Sequence, residues 1–390
     1  MTKDVIRVHA DPRQIDASAW DRLLAQQARP TPFMRHAYLV AMHASGSAVA
    51  QSGWAPRFIS VERGGVLVGA VPAYLKSHSY GEYVFDWAWA DAYRRHGLAY
   101  YPKLLAAVPF TPVPGSRLLA TDDGVRRTLL GALIALAQQE SASSAHLLFP
   151  DPHEASLVAA PNSGFMQRQG VQFHWTREAT DPARDFADYL SRMQRDKRKK
   201  IQQEQRKVAD AGVRFTVHAG DALTPELWDY FYDCYTLTYA AHHSTPYLSR
   251  AFFTAMASTM PEHWLMFVAR RGDVPVAVSL IAVDATSGQA YGRYWGCTER
   301  IACLHFDACY YQPLAWCIAN GYLRFEGGAQ GEHKMARGLL PVGTHSAHWL
   351  AHPQFAAAVD DFLKSETRGM AEYVDELREH SPFKAPQITA

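Results

Sequence analysis

The sequence lacks the features that mark several large classes of protein. No run of about 18 apolar residues occurs in the chain of 390 residues, so we expect no membrane span. The N-terminal stretch MTKDVIRVHADP has no apolar core of the kind that a signal peptide needs, so we expect a cytoplasmic protein. Basic and acidic residues nearly balance, 39 against 38, so no global field draws the chain to DNA or to a membrane surface.

Cysteine is scarce and is not arranged in pairs. The chain has five cysteines, an odd number, and no Cys-x-x-Cys motif. We therefore expect reduced thiols, with neither a disulfide nor a metal. His345 and His348 have no third ligand at a suitable spacing, so we expect no metal site there. Walker A, G-x-S-x-G and strand-following G-x-G-x-x-G motifs are also missing, which removes three common classes of enzyme site.

The sequence does contain a succession of helix and strand patterns that occurs once in each half of the chain. In the first half, Gly64-Gly65 joins two strand patterns and predicts a hairpin. In the second half, residues 264–270, 274–284 and 289–297 read as three successive strands, followed by a helix from His305 and a strand ending at Glu326. This order predicts an α/β (α+β) protein with two tandem GNAT-like domains, residues 1–180 and 181–390. Each domain is expected to be a mixed, mostly antiparallel sheet flanked by helices.

A strongly basic segment, RDKRKKIQQEQRK, spans residues 195–207. It holds seven basic residues and two acidic ones. We expect it to belong to one helix that starts near Phe186 and ends near Gly212. Contact with phosphate, either a pyrophosphate or a tRNA backbone, would use Lys197, Arg198 and Lys200. A solvated helix face explains the composition equally well.

The segment FEGGAQGEHKMARG, which begins at Phe325, concentrates glycines and an acid–base cluster. Glycine lets a backbone approach a ligand closely, and neighbouring Glu and His side chains can take a proton from an ammonium. Glu326 or Glu332 is the candidate base, and Lys334 is the candidate group that holds an oxyanion or a carboxylate. The other candidates nearby are His305 and His333 behind the base, Tyr310 or Tyr311 as proton donor to a leaving group, and Arg293 and Arg337 for substrate binding. A solvated surface turn is the alternative.

A third segment, residues 79–103, mixes acidic and aromatic residues without a clear period. It predicts a loop-rich insertion over a site. Acidic groups among aromatic rings suit an amine-bearing substrate, so Tyr80, Glu82, Asp86 and Lys103 are candidate substrate-binding residues. An ordered lid whose rings pack on the sheet is the alternative.

Two pairs of stretches resemble the FemAB-like family, bacterial N-acyltransferases named for peptidoglycan biosynthesis or recognition. They are SYGEYVFDWAWADAYRRHGLAYYPKL with AVPFTPVPGSRLL, and LHFDACYYQ with RFEGGAQGEHKMARG. The resemblance covers nearly the whole chain, and YLSRMQRDKRKKI is similar to the basic helix that opens the second domain of such transferases. It implies a tandem GNAT fold and acyl transfer to a small-molecule or peptide amine.

The donor stays open between acyl-CoA and aminoacyl-tRNA, used as a co-substrate with no tightly bound cofactor. The turn TERIACLHFD lacks the glycines with which GNAT domains bind the CoA pyrophosphate, which argues against ordinary CoA binding in the second domain. The chain also lacks the coiled-coil arm that some FemAB proteins insert for tRNA. A non-catalytic module that binds a peptidoglycan fragment or an amino acid, and an RNA-binding protein, are the rival hypotheses. The sequence does not indicate an oligomeric state.

Overall fold

The computed structural model describes residues 3–328 and 331–384, and the chain forms two compact units. The first unit comprises Met1–Gly170, Tyr247–Phe252 and Gly343–Glu372. The second comprises Val171–Pro246, Phe253–Val342 and Tyr373–Ala390. Among the described residues, no helix is both long enough and apolar enough to cross a bilayer.

The first unit contains eight strands and five helices before residue 160. The strands are β1 Asp4–His9, β2 Trp54–Pro56, β3 Phe58–Arg63, β4 Val66–Val71, β5 Ala73–Lys76, β6 Lys103–Ala106, β7 Leu119–Ala120 and β8 Ser144–Leu148. The helices are α1 Ala17–Ala25, α2 His36–Ala44, α3 Trp87–Arg95, α4 Asp123–Gln139 and α5 Pro152–Val158. A four-stranded sheet has the order β1-β3-β4-β7, and β8, β6, β5 and β2 are neighbours in a second sheet.

Local sequence explains much of this unit. Gly64 and Gly65 both have positive φ and join β3 to β4, which confirms the predicted hairpin. Asp122 caps α4 by accepting a hydrogen bond from the Val125 backbone N–H at 2.9 Å. The apolar face of α4 recurs every three or four residues and packs on the strands. Its buried members are Val125, Leu129, Leu130, Leu133, Leu136 and Ala137.

The rest of the chain continues with β9 Met166–Thr176, α6 Phe186–Ser191, α7 Arg195–Asp210, β10 Val213–Ala219, α8 Pro225–Ala241, α9 Arg250–Thr259, β11 Trp264–Arg271, β12 Val274–Asp284 and β13 Gln289–Cys297. It ends with α10 Leu304–Phe306, a π-helical turn Asp307–Tyr311, α11 Gln312–Ala319, β14 Arg324–Glu326, a 3-10 helix Glu332–Arg337, β15 Leu340–Leu350 and α12 Pro353–Glu379. Strands β10 to β13 form an antiparallel run, and β14 adds to β13 in parallel. The three predicted strands at residues 264–297 are therefore confirmed.

Two local predictions differ from the structure. The predicted single helix at residues 186–212 is two helices, because the residues between them pair with the C-terminal segment of the same unit. Met193 forms a β-bridge with Phe383, and the Gln194 backbone N–H donates to the Pro382 carbonyl at 2.9 Å. The aromatic segment predicted to be loop-rich contains the nine-residue helix α3.

The compact units also differ from the linear division into residues 1–180 and 181–390. The first unit takes in Gly343–Glu372 because residues 346–350 of β15 pair antiparallel with β8. In addition, α12 contributes Val359 and Leu363 to a cluster with Trp89 of α3.

Candidate active site

The candidate site in the second unit lies where two parallel strands diverge. Strand β14 pairs with β13 over only three residues, from Gln289 opposite Arg324 to Tyr291 opposite Glu326. Strand β13 continues to Cys297, whereas β14 ends at Glu326. A Cβ at Gly292 would lie 3.3 Å from the Glu326 carbonyl oxygen, so the two backbones are close at the point of divergence. The divergence places Glu326 at the end of its strand, beside the part of β13 that pairs with β12 but no longer with β14.

Glu326 is buried, with 2% of its surface exposed, and faces a histidine on the neighbouring strand. His174 of β9 is its cross-strand partner, and the His174 Nδ1 to Glu326 Oε1 distance is 3.9 Å. The His174 Nε2 lies 3.0 Å from the Gln172 Oε1, which accepts its hydrogen and leaves Nδ1 as the nitrogen that faces the carboxylate. His174 is not among the residues selected from the sequence, although a histidine at a core position of the strand pattern VQFHWT is a usable signal.

Lys334 is buried, with 4% exposure, and lies along the turn that follows Glu326. Its ammonium donates to the Gly328 carbonyl at 3.0 Å, and its Cδ would lie 3.4 Å from a Cβ at Gly327. No ion pair to a carboxylate is found for Lys334 within residues 3–328 and 331–384. Burial lowers the pKa of Lys334 to about 8, which the nearby Cys309 opposes. The turn that follows buried Glu326 thus holds a desolvated cation against a backbone carbonyl.

The π-helical turn forms the next side of the site. π-Turns are rare and are often found at functional sites. The Tyr310 hydroxyl lies 3.2 Å from the His333 Nε2, and the His305 ring lies edge-on to Tyr310 at 5.8 Å. Burial lowers the pKa of His305 to about 4, and the positive charges of His333, Arg337 and Lys334 act in the same direction. His305 is therefore a neutral imidazole in a cationic neighbourhood.

Arg337 and Tyr311 both donate hydrogen bonds to a buried acid, Glu204, that is not among the residues selected from the sequence. Glu204 of α7 accepts from the Arg337 Nη2 at 3.2 Å through both oxygens, and it also accepts from the Tyr311 hydroxyl. Arg337 donates further to the His333 carbonyl at 2.7 Å and lies over the Phe306 ring. These contacts brace the 3-10 helix that carries Lys334, so Arg337 and Tyr311 are held in fixed positions around the site.

Three other predicted residues lie apart from the buried pair. Glu332 is exposed, and its carboxylate accepts from the Tyr373 hydroxyl. His333, whose Nε2 contacts the Tyr310 hydroxyl, is otherwise exposed to solvent. Arg293 of β13 is half-buried and donates to the Tyr294 hydroxyl at 3.1 Å. Their catalytic or binding roles stay predictions, as do the roles of Glu326 and Lys334.

In the first unit the structure brings together most of the residues predicted to bind an amine. The Lys103 ammonium, with no exposed side-chain surface, donates to Glu82 at 2.7 Å, to Ser79 at 2.8 Å and to Asp86. Burial raises the pKa of Glu82 to about 7. Burial also acts to raise the pKa of Asp86, but Lys103, His146 and Tyr100 together outweigh it and lower that pKa to about 2. Tyr80 is not part of this cluster, since it is 57% exposed and packs on Trp87.

This first-unit cluster continues into further buried groups that the sequence did not single out. The Tyr100 hydroxyl donates to Asp86 at 2.7 Å and lies 3.4 Å from the His146 Nε2. The Nδ1 atoms of His146 and His348 are 2.7 Å apart. Lys103 joins Glu82 and Asp86 through hydrogen bonds at a place closed to solvent, and the substrate-binding role of these residues stays a prediction.

The basic helix α7 buries Ile201, Glu204 and Val208 on one face. Lys200 is exposed, Lys197 and Arg198 are half-exposed, and the Arg198 Nη1 donates to the Ser191 carbonyl at 3.3 Å. Their phosphate-binding role stays a prediction. Among the described residues, no group of three or more His, Cys, Asp or Glu side chains is arranged to hold a metal ion.

Together the fold and the site define an α/β protein of the tandem GNAT type whose second unit carries a buried glutamate and a buried lysine at the end of its sheet. A family model for FemAB-like proteins, described as peptidoglycan biosynthesis/recognition, matches residues 11–385. The chain therefore belongs to the FemAB-like family.

Solved structures of the same fold have low sequence identity to this chain. FemX has a TM-score of 0.54 at 11% identity, covering 92% of this chain and 100% of that chain. L-PGS from Bacillus licheniformis has a TM-score of 0.55 at 11% identity, with coverages of 92% and 99%. A conserved protein of unknown function from Bacteroides thetaiotaomicron VPI-5482 has a TM-score of 0.55 at 11% identity, with coverages of 89% and 100%. No curated protein sequence matches the chain.

Proposed function

We propose that this protein is an N-acyltransferase that moves an acyl or aminoacyl group from an activated ester or thioester to an amine. The observation that carries the proposal is the buried ammonium of Lys334, without a carboxylate partner in the described residues, on the Gly327-Gly328 turn directly after buried Glu326. A desolvated cation without a counter-charge is costly unless a negative charge arrives during the working cycle. The tetrahedral oxyanion of acyl transfer is such a charge.

The reaction is direct aminolysis. The amine nitrogen forms a bond to the carbonyl carbon, and the carbonyl oxygen becomes an oxyanion that Lys334 stabilises. Glu326 takes the proton that the attacking ammonium must lose. Collapse of the intermediate breaks the C–O or C–S bond to the donor, and the leaving oxygen or sulfur takes a proton from Tyr310. The nitrogen loses its second proton as the amide forms, and that proton restores Tyr310 through exposed His333, while Glu326 releases the first proton to solvent. We favour Tyr310 over Tyr311 because the Tyr311 hydroxyl already donates to Glu204.

Membership of a family described by peptidoglycan biosynthesis or recognition supports a peptidoglycan amine as the acceptor. The structural likeness to FemX and L-PGS supports the scaffold. The donor is the open part of the proposal, between aminoacyl-tRNA and acyl-CoA. The turn between β13 and α10 has no glycine, which favours aminoacyl-tRNA.

The test measures release of deacylated tRNA and of free CoA in separate reactions, with peptidoglycan stem peptides that carry a free amine as acceptors. Turnover above background with one donor supports the proposal. The Lys334→Met variant should lose about 10²–10³ in kcat, as loss of an oxyanion donor does. Lys364→Met, which removes a lysine from the surface of α12, is the matched control and should retain full activity.

Lys334→Arg separates charge from size in the same assay, because it keeps the cation but needs more space beside Gly328. No turnover with either donor would refute acyl transfer. Saturable binding of the stem peptide in that case would favour the binding-module alternative. A Lys334→Met rate within threefold of wild type would refute the role of this site.

A further inference from the structure

The second unit contains a cavity of about 530 Å³ that the proposed reaction does not use. Its lining comes from β9, the segment that follows it, α6, the start of β15 and residues 383–384. The volume lies within the range of about 300–1,000 Å³ that is typical of small-molecule sites. No residue selected from the sequence lies in this lining.

The walls of the cavity are mainly apolar. Trp175 and Tyr189 are buried and form the floor, while Val342 and Phe383 are half-buried and stand at the sides. Leu340 remains 38% exposed at the opening. Apolar side chains that line a cavity and stay in contact with water lower their free energy when a hydrocarbon covers them. The interior therefore suits an apolar ligand.

The opening carries two cations whose charge is not neutralised. The Arg177 Nη1 donates to the Ile318 carbonyl at 3.0 Å, and the Lys384 ammonium donates to the Ser191 carbonyl at 2.7 Å. Within residues 3–328 and 331–384, neither forms an ion pair with a carboxylate. A backbone carbonyl carries no net charge, so both side chains can still bind an anion.

The remaining charged groups at this opening leave one negative charge, because Arg192 and Arg184 are the cations beside the three carboxylates of Glu178, Asp181 and Asp188. Arg192 is 3.1 Å from the carboxylates of both Glu178 and Asp188. It also lies 3.3 Å from a carboxylate oxygen of Asp181. Arg177 and Lys384 add two positive charges, which gives the opening a net charge of +1 and makes these two side chains the ones that attract an anion.

We propose that this pocket binds a single-chain amphiphile, with its hydrocarbon chain against the apolar walls and an anionic head group, a carboxylate or a phosphate, against Arg177 and Lys384. Binding requires neither Glu326 nor Lys334, so it is separate from the proposed transfer. The pocket is nevertheless next to the candidate active site, because His174 belongs to its lining and faces Glu326 across the strand pair. An occupant would lie against the histidine that faces the candidate base.

The test is calorimetric titration of the full chain with octanoate, decanoate, laurate, dodecyl phosphate and dodecyltrimethylammonium, each below its critical micelle concentration. Each pair of added methylenes should tighten binding by roughly tenfold, because burial of one CH₂ contributes about 0.8 kcal/mol. The cationic amphiphile should bind at least about tenfold more weakly than laurate. The tighter of laurate and dodecyl phosphate identifies the head group. Affinity independent of chain length, or equal affinity for the cationic amphiphile, would overturn the proposal.

Variants locate the site. Leu340→Trp fills the opening and should weaken laurate binding at least tenfold, and Val342→Trp provides a second filling variant should the first fail to fold. Arg177→Met combined with Lys384→Met should abolish the preference for an anionic head while keeping the dependence on chain length. Leu237→Trp and Lys364→Met, at exposed positions on α8 and α12, are the matched controls.

Unchanged laurate binding in both filling variants would overturn the assignment to this pocket. Lys334→Met separates the two proposals, since it should lower the rate of acyl transfer about 10²–10³-fold while leaving laurate binding unchanged. Transfer without laurate binding would refute only the pocket, and laurate binding without transfer would refute only the proposed activity.

Discussion

Replacing Lys103 by methionine tests whether the charge cluster in the first unit is structural. In the wild type, the Lys103 ammonium donates to Ser79 and Glu82 at 2.8 and 2.7 Å and to Asp86. Methionine has a similar length but no charge. The variant leaves two buried carboxylates, and the nearest remaining cation is Lys76, whose Nζ is 3.9 Å from a Glu82 oxygen. Burial lowers the pKa of Lys76 to about 7 in the wild type, and since the charge of Lys103 contributes to that lowering, Lys76 becomes more protonated in the variant and compensates part of the lost charge.

The expected loss is about 3–5 kcal/mol in the free energy of unfolding, the usual cost of removing one partner of a buried ion pair. For a domain of about 200 residues, this corresponds to a fall in Tm of roughly 6–20 °C. Differential scanning calorimetry at pH 7 measures it, with Lys364→Met as the control. Lys364 is exposed and pairs with Asp360 at 2.6 Å, so its removal should cost less than about 1 kcal/mol.

A triple variant that neutralises all three groups, Lys103→Met with Glu82→Gln and Asp86→Asn, should recover more than half of the loss. Removing both signs of charge together avoids the uncompensated carboxylates. A Lys103→Met transition within about 1 kcal/mol of wild type would contradict the structural role and would favour the substrate-binding role predicted from the sequence.

Three further predictions concern separate features. Burial, assisted by the positive charge of Lys103, lowers the pKa of His146 to about 3, so the stability that this neutral ring contributes is complete above pH 6.5 and is lost between pH 6.5 and about 3. At pH 4 the wild type should have lost roughly 3 kcal/mol of its free energy of unfolding in this way, and the His146→Asn variant should not show that loss in an acid unfolding titration. Equal pH dependence of stability in the variant and the wild type would refute this role of His146. Gly338→Ala should lower the free energy of unfolding of the second unit by at least about 2 kcal/mol, as measured by denaturant titration. The reason is that φ is +86° and the new Cβ would lie 1.9 Å from the Tyr189 hydroxyl oxygen. The control Gly343→Ala, whose Cβ would have no atom within 4 Å, should leave the free energy of unfolding unchanged. If α7 contacts tRNA, Lys200→Ala should lower the slope of log affinity against log salt by about 0.7–0.9, and an unchanged slope would exclude Lys200 from the contact.

Part of the fold could be predicted from local patterns. Residues 264–297 follow the strand pattern with Gly-containing turns, and Gly64-Gly65 supplies the positive φ that a tight hairpin needs. These features depend on the chain within a few residues, which a single sequence displays directly. The break between α6 and α7 was not predictable in this way, because it arises from pairing of Met193 with Phe383, 190 residues further along.

The candidate site likewise has features that follow from the local sequence and features that depend on tertiary packing. The sequence places Glu326 and Lys334 close together along the chain, with seven residues between them, three of which are glycine. Only the tertiary structure brought His174 opposite Glu326, Glu204 against Arg337, and His146 against His348. Those pairs depend on strand register and on which helix face is buried, and both are set by packing of the whole unit. Packing buries both Lys334 and Lys103. Among the described residues, Lys103 has carboxylate partners whereas Lys334 has none, and this distinguishes the environments of the two lysines.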